Sequence, residues 1–173
     1  MIVLGIDPGT ANTGYGVVKG DGLGSGLVSL VECGVIRTRP RDPLPDRLLE
    51  IFEGVSELLT RHRPDALSVE DVFYAKNVRT TVVLGHARGV VLLAGRQAGV
   101  DIHEIPPAEI KKAVVGTGAA TKEQVQFMLM RLLKLKSVPQ PSDAAHGVAA
   151  ALACLTSLRA PSISGIRAQA ARL

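Results

Sequence analysis

Cysteine is scarce in this chain of 173 residues: only Cys33 and Cys154 occur, both in apolar surroundings, and no Cys-x-x-Cys spacing is present. A disulfide framework and a structural zinc site are thereby excluded, and a reducing compartment is expected. Long apolar runs are missing too. No uninterrupted stretch approaches the roughly 20 residues that a membrane-crossing helix needs, and no charged segment leads into a short apolar one as in a secretory signal. The expectation is a soluble, cytoplasmic protein with no membrane partner. Acidic residues thin out along the chain. Residues 1–110 hold 14 Asp/Glu against 11 Lys/Arg, a net −3, whereas residues 111–173 hold 2 against 9, a net +7. Such a split predicts a basic face built around Lys111, Lys112, Lys122, Arg131, Lys134 and Lys136, suited to a polyanion, although a solvated basic surface without a partner has the same composition. Tryptophan is absent and the aromatics number five, two Tyr and three Phe, so the pair Phe73-Tyr74 is conspicuous.

What is present is 46% hydrophobic, enough for one substantial core and short for two domains of ordinary size. Residues 1–7, 14–19 and 27–38 read as three consecutive strands joined by Gly-rich turns, hence an antiparallel meander. Prolines at 40–45 break that pattern. Residues 46–62 then carry Leu48, Leu49, Phe52, Val55, Leu58 and Leu59 at helical spacing. Residues 66–70 form a short strand that, reached through a helix, should lie parallel to the first. A second helix is predicted over 78–98. Its apolar residues cover more than one face, so it needs cover from the sheet and from either another helix or a second copy of the chain, with Gly85 and Gly89 one turn apart permitting close approach. A fifth strand (101–105) and helices over 107–115, 121–135 and 142–158 complete the α/β pattern. Thr121 and Ser142 are the expected N-caps. The remainder, 159–173, holds three arginines and no acid and reads as a flexible basic tail.

Asp7 ends a short apolar strand and is followed at once by Pro8, Gly9 and Thr10. An ionised carboxylate there is costly to desolvate unless something pairs with it. Period-2 alternation puts Val3, Gly5 and Asp7 on one face, Ser68 and Glu70 on one face of the neighbouring strand, and Asp71 on the other. Asp143 and His146, three apart, share a face of the last helix's first turn. Together they suggest a divalent-metal site of hard ligands, the kind that can hold two Mg²⁺ ions about 4 Å apart for phosphodiester hydrolysis. Taken singly, Asp143 also reads as an acid complementing the helix dipole and His146 as a partly buried helix histidine.

Several stretches carry a resemblance: Ile-Val-Leu-Gly-Ile-Asp7-Pro-Gly-Thr with Thr13-Gly14-Tyr15-Gly16, Glu70-Asp71-Val72-Phe73-Tyr74-Ala75-Lys76-Asn77, Leu84-Gly85-His86-Ala87-Arg88-Gly89, Ile110 to Gly116, Lys122-Glu123-Gln124-Val125, and Ser142-Asp143-Ala144-Ala145-His146. In order, spacing and length they resemble the RuvC family of Holliday junction resolvases across residues 1–158. That resemblance implies a ribonuclease H-like fold with a five-stranded mixed sheet flanked by helices. It also implies a homodimer, and nicking of two strands of like polarity across a four-way DNA junction with Mg²⁺ or Mn²⁺, two ions per site. Residues 1–158 would be the nuclease domain. By family position Asp7, Glu70 and Asp143 are the metal ligands, while His146 falls where many members carry a fourth acid. A neutral imidazole there either binds metal, tilting preference toward Mn²⁺, or positions and deprotonates the attacking water. The resemblance further implies that Lys111 and Lys122 contact phosphate or stabilise the transition state and that Phe73 stacks on an opened base. Lys76, Asn77, Arg79, Arg88 and Lys112 are further DNA contacts on this reading, and the RuvA and RuvB branch-migration helicase is an implied partner.

Other readings compete. The Asp-Pro-Gly-Thr turn also resembles the first phosphate loop of actin-like ATPases and sugar kinases, but those repeat the fold twice and this chain has no internal repeat. A junction-binding module with a catalytic site altered at His146 would bind without cutting. A related small RNA nuclease would need a ribose-reading site that the sequence does not reveal.

Overall fold

A computed structural model describes residues 1–20, 27–71 and 78–159. In chain order the elements are β1 (Ile2–Asp7), β2 (Asn12–Gly20), β3 (Val28–Arg37), α1 (Leu44–His62), β4 (Ala66–Glu70), α2 (Val78–Gln97), β5 (Asp101–Ile105), α3 (Pro107–Val115), α4 (Lys122–Leu132) and α5 (Ser142–Arg159). The strands form one sheet in the order β3-β2-β1-β4-β5. β1, β2 and β3 run antiparallel, while β4 is parallel to β1 and β5 to β4. Short turns suffice for the meander, whereas the parallel half needs crossovers, supplied by α1 and α2. The mixed sheet is the one the sequence predicts.

Alternation along the strands divides the core in two. Val3, Val18 and Ala66 pack with Ile110, Leu129, Val148 and Leu152 beneath α3, α4 and α5. Leu4, Ile6, Val17, Leu67 and Val69 face the other way, against Ile51, Val55 and Leu58 of α1 and Ala87 and Val91 of α2. β1 and β4, central in the sheet, are therefore buried on both faces.

Two helix ends depart from the periodicity by two residues or more. α1 begins at Leu44, before the predicted 46, because Pro45 falls in its first turn, where a missing N–H leaves no hydrogen bond unmade. α4 stops at Leu132 and not at 135, because Lys134 takes a left-handed conformation (φ 53°). Leu133 and Leu135 still pack on the core from outside the helix, so the apolar spacing there reports burial but not helix length. At the other end of α4 Thr121 is the expected cap: its hydroxyl accepts from the Gln124 N–H, and the Gln124 side chain accepts from the Thr121 N–H at 2.8 Å.

α5 lies unusually close to the sheet. A Cβ on Gly5 would stand 2.2 Å from the Gly147 carbonyl oxygen, and one on Gly14 1.9 Å from that of Asp143. Only hydrogen fits at those two strand positions. The helix contributes small residues in return, with Ala144, Ala145, Ala149, Ala150 and Ala151 all buried. Ser68, buried on β4, donates its hydroxyl to the Ala150 carbonyl at 2.9 Å, which satisfies the polar group inside the seam. No helix among the described residues is long and apolar enough to cross a membrane.

Candidate active site

Parallel pairing of β1 and β4 brings their last residues, Asp7 and Glu70, to the same edge of the sheet, both directed to the α5 side. The glycine-lined seam then delivers the first turn of α5 to that edge. Asp7, Asp143 and His146 each present a ligand atom within 4.8 Å of the others. His146 Nδ1 and Asp7 Oδ2 are hydrogen-bonded at 3.0 Å, with each side chain about one-quarter exposed. The four residues named by the sequence thus come from three elements to one place, although Glu70 lies outside the tight trio.

Glu70 lines an adjoining cavity of about 210 Å³ together with His146, Lys111 of α3 and Lys122 of α4; Pro107, Ile110, Val125 and Ala149 form its apolar wall. Burial, reinforced by the charge of Asp7, pushes the Glu70 carboxyl up to about 7, against the opposing pull of His146, Lys111 and Lys122. His146 is raised above its usual value, chiefly by its hydrogen bond to Asp7, with burial working against it. Carboxylates crowded into a half-buried cleft favour whatever neutralises them, a proton or a cation. Oxygen donors with one imidazole nitrogen suit a divalent ion of the Mg²⁺ or Mn²⁺ kind, so this is a candidate metal site by its donor chemistry.

The turn after Asp7 is held by residues that the sequence did not single out for that role. Thr13, fully buried, donates its hydroxyl to the Gly9 carbonyl at 2.6 Å. Thr38 donates to the Thr10 carbonyl, and Arg47 Nε reaches the Thr38 hydroxyl at 3.0 Å. Thr13 is the second residue of β2 and Thr38 directly follows β3, so a polar β-branched residue at each of these strand ends was the available signal.

The other predicted contacts are dispersed. Lys112 and Arg79 are exposed and lie outside the lining of the Glu70 cavity. Arg88 is not directed at that cavity: its guanidinium meets Asp71 at 3.1 Å and also Glu104. Phe73, Lys76 and Asn77 lie outside the described residues, as does 160–173; Arg159, assigned by sequence to the tail, completes α5.

An antiparallel meander continued by parallel strands, with acids at the ends of the two central strands and a last helix bringing another acid to them, defines a ribonuclease H-like nuclease fold. Comparison with known proteins narrows the class. The sequence model for crossover junction endodeoxyribonuclease RuvC matches residues 3–154. The protein of that name from Pelotomaculum thermopropionicum is 45% identical over 152 residues, covering 88% of this chain and 91% of its own. The solved RuvC structure from Thermus thermophilus superposes with a TM-score of 0.85 at 38% identity, covering 92% of this chain and 96% of that one. The same protein solved in complex with Holliday junction substrate gives 0.86 at 37%, covering 92% and 95%. This chain belongs to the RuvC family of crossover junction endodeoxyribonucleases, and its activity is that of a junction-resolving DNA endonuclease.

Proposed function

We propose that Asp7, Glu70, Asp143 and His146 hold two divalent ions, Mg²⁺ or Mn²⁺, and that the chain uses them to place paired, symmetric nicks in strands of like polarity at a four-way DNA junction. The observation that carries this reading is the convergence of Asp7, Asp143 and His146 within 4.8 Å beside a Glu70 whose charge is disfavoured until a cation arrives. Bound there, such ions supply a lowered water pKa and neutralise charge on the transferred phosphoryl group. Asp7, central in the cluster, orients both the ions and the His146 ring. Lys111 and Lys122 reach the same cavity from two helices and stabilise phosphate charge as it develops. Lys112, Lys76, Asn77 and Arg79 contact the arms, and Phe73 stacks on an exposed base.

A second role for His146 is favoured by its 3.0 Å bond to Asp7, which would fix the ring as a base orients on a carboxylate. His146→Asp separates the two. As a ligand it should keep cleavage and shift preference toward Mg²⁺; as the base, its loss should remove the histidine limb from the pH-rate profile.

The homodimer is supported by the outer face of α2, where Val78, Val82 and Leu93 are exposed and Gly85 and Gly89 have nothing within 4 Å among the described residues. The Thermus thermophilus complex with a Holliday junction supports the four-way junction as substrate, and family membership supports work alongside RuvA and RuvB in the cytoplasm. Residues 1–158 act as the nuclease domain, with Arg159 closing its last helix and 160–173 a basic extension.

Calorimetric titration of Mn²⁺ into the DNA-free protein tests the metal assignment. Binding in the wild type that weakens at least 10-fold in Asp7→Asn and in Glu70→Gln is expected. Unchanged affinity in both variants would remove these residues from the ligand set.

A further inference from the structure

Arg88 follows the buried Ala87 on α2, and its own side chain is 25% exposed. One terminal nitrogen, Nη2, meets Asp71 Oδ1 at 3.1 Å and also Glu104 Oε2. Asp71 directly follows Glu70, and its N–H donates to the Ile105 carbonyl at 2.9 Å. Ile105 is in turn the register partner of Glu70 across β4 and β5. A single cation therefore joins the ends of both strands at the position where Glu70 leaves the sheet. Neighbouring residues in extended backbone send their side chains to opposite faces, so tying Asp71 down on the α2 face fixes the backbone rotation that aims Glu70 at α5.

A guanidinium in this place is committed. Drawing it toward a DNA phosphate would take the shared counter-charge from Asp71 and Glu104, whose side chains are 43% and 44% exposed, and a guanidinium does not shed its proton to adapt. Its Nε is buried without a partner among the described residues, and Nη2 stands within ion-pair reach of both carboxylates.

We propose that Arg88 is a positioning residue for Glu70, acting through Asp71 and Glu104, and makes no phosphate contact. The inference rests on the reading of Glu70 as a metal ligand. Arg88→Met keeps the aliphatic stem and removes the charge; Arg88→Lys keeps a single cationic nitrogen. The expected result is that Arg88→Met weakens Mn²⁺ binding to the DNA-free protein about 10-fold and lowers kcat for junction cleavage in step, as loss of groups that orient metal ligands does. Junction affinity and its salt slope in Ca²⁺ should stay at wild-type values, and Arg88→Lys should restore most of both losses. Two results would overturn the proposal. One is a salt slope reduced by about 1 with metal affinity intact, which marks a phosphate contact. The other is a lowered Tm with metal affinity and kcat unchanged, which marks a purely structural pair. Should Arg88→Met fail to fold, Asp71→Asn cuts one arm of the anchor and is read in the same way: weaker Mn²⁺ binding with an unchanged salt slope supports the role, and unchanged Mn²⁺ binding sinks it. A wild type that binds no Mn²⁺ overturns the metal reading itself, a separate failure visible before any variant is made.

Discussion

Glu70 is the residue where the demands of folding and of function conflict most openly. In the folded chain its carboxyl sits near 7 instead of the ordinary 4.5, so the fold binds that proton more tightly than the unfolded chain does. Its contribution therefore favours the fold below about pH 4.5 and is lost as pH rises from there through about 7. His146, also raised, has the same sign: its contribution is complete below about 6.5 and disappears as pH climbs through its folded value. Without metal, wild type should lose on the order of 2–3 kcal/mol at Glu70 between pH 5 and pH 8. Thermal melts in EDTA should show Glu70→Gln gaining on wild type as pH rises, and Mn²⁺ should narrow that gap by stabilising wild type more than the variant. A difference independent of pH would contradict the account. These residues were legible in the sequence because their placement depends on short-range geometry: alternation set Asp7 and Glu70 on one face, and three-residue spacing set Asp143 beside His146. The Thr13 bond to Gly9 and the Arg88 bridge between Asp71 and Glu104 were not. They depend on which elements meet in space, and Arg88 on its helix carries no mark that distinguishes an anchor from a phosphate contact.

At the scale of elements, the site depends on how closely α5 approaches β1 and β2. Gly5→Ala would drive a methyl into the backbone of α5 at 2.2 Å from the Gly147 oxygen, with no flexible side chain to yield. The helix must lift, at a cost of about 3 kcal/mol or more, and Asp143 and His146 lift with it. Chemical denaturation should register the lost stability, and cleavage should fall further than the unfolded fraction accounts for, because surviving folded molecules carry a displaced cluster. Wild-type cleavage in Gly5→Ala would show that the close seam is incidental. The strands and helices themselves were readable from periodicity, down to the parallel placement of β4. The seam was not, because a glycine in a strand reads as a weak strand position until the helix packed against it is known; the alanine-rich stretch of α5 was its counterpart in the sequence. The early stop of α4 was likewise hidden, since Leu133 and Leu135 serve the core from a turn as well as they would from a helix.

At the scale of the whole molecule, two symmetric nicks need two sites held at a fixed spacing. The outer face of α2 offers Val82, 54% exposed, beside two glycines with nothing within 4 Å of them among the described residues. Val82→Asp should leave the monomer folded and turn dimers to monomers by light scattering. Nicks in the two strands should then become independent of each other, with a lag before the second. Persistence of the dimer would move the interface elsewhere. Junction binding should also fall steeply with salt, since the proposed dimer, holding four arms, would neutralise many phosphates at once.

Metal-dependent junction resolution is tested most plainly by cleavage of a labelled four-way junction, beside linear duplex and an RNA–DNA hybrid, in Mg²⁺ and in Mn²⁺, with Asp7→Asn in parallel. Paired, ligatable nicks are expected in the junction alone, reduced on the order of 10³-fold in Asp7→Asn while that variant binds the junction at least as tightly as wild type. Tight binding by wild type with no nicks in either metal would contradict that expectation, as would equal cutting of linear duplex.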